Sequence, residues 1–136
     1  MTRALHVEAR LRRQHILTRD ADPCQLHAVI DQNAIARLTD PAIRAPQLTH
    51  LTEAAARPNI TVQVIPFTAG PYPGAGEVFT ILSFPGPAER DFVYLETTID
   101  DRMLEEPDEL DRYTHRFTHL TRTAHTTSET QAVLTR

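Results

Sequence analysis

Between residues 60 and 98 the chain carries three runs in which apolar and polar residues alternate: ITVQVIPF (60–67), EVFTILSF (77–84) and DFVYLETT (91–98). A pleated strand sends successive side chains to opposite faces, so this period of two, with its β-branched and aromatic residues, predicts strands. The link Pro85–Arg90 is short and turn-like and predicts an antiparallel hairpin of the last two. Thr68–Gly76 (TAGPYPGAG) is different, because nine residues with three glycines and two prolines exceed what a hairpin needs. Loops of this kind border binding sites, although plain surface excursions are commoner.

The rest of the chain reads mainly as helix. Residues 4–17 (ALHVEARLRRQHIL) place Ala4, Val7 and Leu11 on one stripe, with Leu5, Ala9 and Ile16 beside it. Asp20–Pro23 ends that helix, since proline cannot continue it. Gln25–Asp31 alternates and reads as a further strand. A second helix is predicted over Pro41–Arg57, with Asp40 as N-cap and Pro41 at the first helical position. Pro46 would cost that helix about 3 kcal/mol in its interior, which favours a start near Pro46. In the final helix, acidic residues around Pro107 suit the positive end of the helix dipole, and Leu110, Tyr113, Phe117, Leu120 and Ala124 follow at helical spacing. Ser128 with Gln131 forms a possible capping box for a last short turn.

This order predicts a single α+β domain over residues 1–136, with a mostly antiparallel sheet of about four strands and helices packed on it. Asp31 and Ile60 bound a strand–helix–strand link that permits one parallel pairing within that sheet.

A net charge of −4 argues against a dedicated nucleic-acid binder. The charge is uneven: Arg3, Arg10, Arg12, Arg13 and Arg19 face only Glu8 in the first helix region, whereas Asp and Glu crowd residues 100–111. Salt-bridged surface helices are the simplest reading of such runs. Cys24 is the single cysteine, which leaves no disulfide framework and suits a buried apolar filler better than a catalytic thiol. The N-terminus lacks the apolar run of a signal peptide, and no stretch approaches the ~18 apolar residues of a membrane span. The expected location is the cytoplasm, without membrane association.

Few residues carry a chemical signal. No glycine pattern runs from strand to helix as phosphate-binding loops require, and no nucleophile elbow surrounds Ser83 or Ser128. His115 and His119 stand one helical turn apart, the spacing of a shared metal, but opposite Tyr113, Phe117 and Leu120 and so toward solvent; neither metal nor cofactor is expected. Glu96 shares a strand face with Phe92 and Tyr94, and a carboxylate among large apolar neighbours needs a partner or a raised pKa. Such arrangements concentrate at functional sites, so this face either lines a pocket, or is exposed to solvent, or pairs Glu96 with an arginine of the first helix. Asp31 either caps the short turn at 33–38 or contributes to a site. The candidate ligand-binding residues are Asp31, Tyr72, Tyr94, Glu96 and Arg13.

The stretches RLRRQHIL (10–17), HAVIDQNAI (27–35), QLTHLTEAAARPNITVQVIPFTAG (47–70), FTILSF (79–84), VYLET (93–97) and FTHLTRTA (117–124) together resemble one family. It is the uncharacterised C-terminal domain of actinobacterial Xre-type helix-turn-helix regulators, the WhiJ-like proteins. The resemblance implies a domain that senses a signal or a small partner protein. It also implies departures: the helix-turn-helix and the V-P-G-L-L-Q-T segment of the family do not precede the first matching helix, Gln32 stands where the family has Glu, and Pro46 falls where the family continues a helix.

The expected function is therefore a non-catalytic module, of a kind met in secondary metabolism, that binds a small molecule or small regulatory protein. It is not expected to bind DNA sequence-specifically by itself. The alternative is a cofactor-free enzyme (cyclase, isomerase or hydrolase) with Glu96 as acid or base and Tyr94 as hydrogen-bond donor. A homodimer is expected because Leu5, Val7, Leu11 and Ile16 lack the upstream partner that the family resemblance supplies.

Overall fold

A computed structural model describes residues 2–136. The elements run α1 (Arg3–Thr18), β1 (Leu26–Asp31), α2 (Gln32–Ala36), α3 (Pro41–Ala55), β2 (Ile60–Ile65), a 3-10 turn (Phe67–Ala69), β3 (Phe79–Leu82), β4 (Phe92–Glu96), β5 (Asp101–Leu104), α4 (Pro107–Thr123) and α5 (Thr127–Leu134). They form two compact units, one of residues up to Ile65 together with His125–Arg136, the other of Pro66–Ala124.

The expected single sheet is instead two: β1 and β2 pair in parallel, and β3, β4 and β5 form a separate antiparallel sheet in that order. The reason lies on the outer edge of β2. There Val64 O accepts from His125 N at 2.8 Å, and Val64 N donates to Thr130 Oγ1 at 3.0 Å. Gln63 Nε2 also donates to His125 O at 2.9 Å. The returning C-terminal segment thus occupies the backbone groups that another strand would need.

In the first unit Ile35, Leu48, Val64 and Leu134 meet in one core, with Leu51 packed against it. Asp31 Oδ1 accepts from Asn33 N at 2.8 Å and caps α2. Helix α3 begins at Pro41, not near Pro46. Asp40 Oδ1 caps Ala42 N at 2.9 Å, and Arg44 Nη1 holds Ile35 O at 2.7 Å, so the first turn is fixed from both ends. Pro46 is exposed, so the ring clears the packed side of the helix while Leu48 two residues on is buried. Helix α1 buries no residue, and Leu5, Val7 and Leu11 are each at least half exposed. Its C-terminal end is held by Asn59, whose Nδ2 donates to Leu17 O at 2.9 Å and Cys24 O at 2.8 Å. Cys24 is half-buried rather than fully enclosed.

In the second unit the expected hairpin is present, with Ile81 opposite Val93. The third strand, β5, was not expected. It pairs Leu104 with Val93 after a turn in which Asp100 N donates to Thr97 Oγ1 at 2.8 Å. Phe79, Ile81, Val93, Leu95, Arg102 and Leu104 share one sheet face by register. Helix α4 packs against β3 and β4, and Phe79 meets Tyr113 edge to face at 5.1 Å between ring centroids. The last turn's capping box lies two residues earlier than Ser128–Gln131: Glu129 N donates to Thr126 Oγ1 at 3.2 Å, and Thr126 N to Glu129 Oε2 at 2.8 Å. No helix among the described residues is long and apolar enough to cross a membrane.

Candidate groove on helix α4

The sequence of α4 divides its surface cleanly. Pro107 opens the helix, Asp108 and Glu109 occupy its first turn, and Arg122 lies in its last, as the helix dipole favours. At about 100° per residue, Leu110, Tyr113, Phe117 and Leu120 form one side. Asp111, Arg112, His115, Arg116, His119 and Arg122 form the other. This second side lines an open groove of about 580 Å³, to which Pro73 of the 68–76 loop also contributes.

Glycine lets the loop approach the helix. At Gly74 the backbone is left-handed (φ +89°), and a Cβ there would stand 2.9 Å from Arg116 Nη1 and 3.0 Å from Arg116 Cδ. No residue but glycine combines that backbone with that contact at low cost. Beside it Arg116 Nη1 donates to Glu77 Oε2 at 2.7 Å. Both side chains of this pair are over a third exposed, so it orients the guanidinium more than it stabilises the fold. Arg112 and Arg122 have no ion-pair partner among the described residues. The groove therefore presents guanidiniums that bind anions and imidazoles that accept or donate hydrogen bonds. His115 and His119 are exposed, as their spacing implies, and they line this groove.

The residues singled out from sequence are distributed between the two units. Asp31 is engaged as the cap of α2, and Arg13 is exposed on α1, both in the first unit. Tyr72, Tyr94 and Glu96 lie in the second. Tyr72 belongs to the turn that leads to Gly74, where Ala75 N donates to Tyr72 O at 3.2 Å. Tyr94 stands between Thr80 and Met103 on the sheet face opposite Val93. Glu96 is exposed at the end of β4, directly across from Asp101, so the desolvated carboxylate suggested by its apolar neighbours is not realised. Sequence reading missed Pro73, Arg112, Arg116 and Arg122. The signal lies in the spacing of those arginines on the polar side of α4, next to the glycine- and proline-rich loop 68–76.

Residues 3–136 match the family described as a domain of unknown function, DUF5753, and the chain belongs to that family. No curated protein and no solved structure matches it.

Proposed function

We propose that this DUF5753 chain is a non-catalytic binding module that takes up a small molecule in the groove of α4. The observation that carries this reading is the loop 68–76 resting on Arg116 through Gly74, beside a groove of about 580 Å³. That volume lies within the range of ligand pockets, roughly 300–1,000 Å³. The finer relationship, to the sensing domains of actinobacterial Xre-type regulators, rests on the matching stretches 27–35 and 47–70 and belongs to the same proposal. On this reading the bound small molecule is the signal, and the chain alone has no sequence-specific contact with DNA.

A ligand that binds only the folded state raises the melting temperature. Screening the purified chain against a metabolite collection is therefore expected to give a ligand whose stabilising effect is lost on Arg116→Ala. Stabilisation that survives this substitution, or no stabilisation by any compound, counts against the groove.

Self-association belongs to the proposal as well. Val7 and Leu11 are 52% and 61% exposed on α1, and apolar side chains in such numbers on one helix are ordinarily covered. A second copy covers them with one self-complementary surface used twice. A small regulatory protein is the other occupant of that surface.

A further inference from the structure

We infer that the ligand of the α4 groove is a small anion carrying phosphate or an equivalent multiply charged group. The inference rests on the reading that this groove is the binding site. It starts from charge: the chain carries a net −4, yet the groove lining holds Arg112, Arg116 and Arg122 against the single carboxylate of Asp111. Like charges one turn apart on a helix repel, and of Arg112 and Arg116 only Arg116 has a carboxylate partner among the described residues, so an anion beside Arg112 offsets charge that Glu77 does not. Glu77 takes one N–H of Arg116, and a guanidinium has five to offer in a fork that matches phosphate oxygens.

Geometry bounds the size of the ligand. Arg112 and Arg116 are one turn apart, about 6 Å along the axis, which suits a single phosphate group. Arg122 lies about 15 Å from Arg112 along the same axis. A ligand engaging all three is therefore longer than phosphate itself, with a charged head and a second polar end. His115 and His119 lie between these positions on the same stripe and supply hydrogen bonds along its length. One stripe on one helix, in a chain of net negative charge, favours a metabolite over a nucleic-acid backbone.

The test is a titration of the isotope-labelled full chain with sodium pyrophosphate at constant ionic strength, followed by amide chemical shifts. Saturable shifts are expected at 72–77 and 111–122, at roughly millimolar concentration or below. Arg112→Gln, at an exposed position, is expected to weaken pyrophosphate binding roughly tenfold, and Arg122→Gln, about 15 Å further along the helix, to weaken it less, with the other amide signals in place for both. Shifts that do not saturate, that sodium chloride reproduces, or that neither variant alters would overturn the inference. A set of neutral fragments is titrated in parallel. If a neutral fragment saturates these amides and pyrophosphate does not, the anion assignment fails and the groove stands. If neither reaches them, the groove itself falls.

Discussion

Thr130 Oγ1 accepts the backbone N–H of Val64 at 3.0 Å, and both residues are essentially sealed from solvent. This bond joins α5 to the edge of β2 and closes the parallel pair to further strands. Thr130→Val keeps the shape of the side chain but leaves the Val64 N–H buried and unpaired. Such a group costs about 1–3 kcal/mol. Urea denaturation is expected to show a loss of that size, with Thr130→Ser losing less because its hydroxyl remains. Equal losses for both variants would assign the effect to packing.

Asn59 serves a similar purpose at the other end of the first unit. Its amide donates to Leu17 O and Cys24 O, and its own backbone carbonyl accepts from Leu26 N at 2.9 Å. Asn59→Ala leaves two half-buried carbonyls without a donor. Destabilisation of about 1–3 kcal/mol is expected. Hydrogen exchange in the last turn of α1 should quicken more than exchange in α3. Uniform acceleration would mean that Asn59 stabilises the unit without tethering α1.

The strands and helices with clean periodicity were legible. Ile60–Ile65 and Phe92–Glu96 lie within the runs that alternate, and α4 follows the spacing of Leu110, Tyr113, Phe117 and Leu120. Strand β5 was hidden because Asp101–Leu104 holds charged residues with weak strand preference, and only Leu104 is buried. The start of α3 was misplaced because Pro46 has a local cost that the Asp40 cap and the Arg44–Ile35 bond offset, and that bond spans nine residues. The division into two sheets depends on His125 and Thr130 reaching β2 from more than sixty residues away. No local pattern carries that information. In the groove, the polar side of α4 was visible but the loop's contact with Arg116 through Gly74 was not.

The pairing of Thr126 with Glu129 makes α5 sensitive to acid. The hydrogen bond from Thr126 N, with smaller help from the Thr126 hydroxyl and His125, holds the Glu129 carboxyl below the usual glutamate range. A carboxyl lowered in the folded state contributes stability above its unfolded pKa and loses it as pH falls through the folded value. Full stability is therefore expected at neutral pH, with a decline on the acid side of the ordinary glutamate range. Glu129→Gln should flatten this part of the profile in melting experiments from neutral pH downward. A profile that is unchanged by the substitution would remove Glu129 from the acid response.

Helix α1 gives the oligomer prediction. With Leu11 61% exposed and no residue of the helix buried, Leu11→Glu has nothing to disrupt within one copy. Light scattering at micromolar concentration is expected to give twice the 15.4 kDa of the chain for the natural protein and the single mass for Leu11→Glu, with similar melting curves. A single mass for both would end the dimer.

Two glycines of the 68–76 loop separate backbone strain from contact with the helix. Gly74 and Gly76 both have left-handed backbones, φ +89° and +83°. Alanine at either position costs about 1–2 kcal/mol from that conformation alone. Only at Gly74 does the added methyl meet Arg116, with Nη1 2.9 Å away, whereas at Gly76 nothing lies within 4 Å. A side-chain end can move, so the contact adds little to the loss of stability and instead displaces the guanidinium from Glu77. The two variants are therefore expected to melt alike, while the Nε signal of Arg116 shifts only in Gly74→Ala. Any ligand of the groove that engages Arg116 should follow the signal and not the melting temperature. Equal effects of both variants on Arg116 would mean that the loop reaches the helix by some contact other than Gly74.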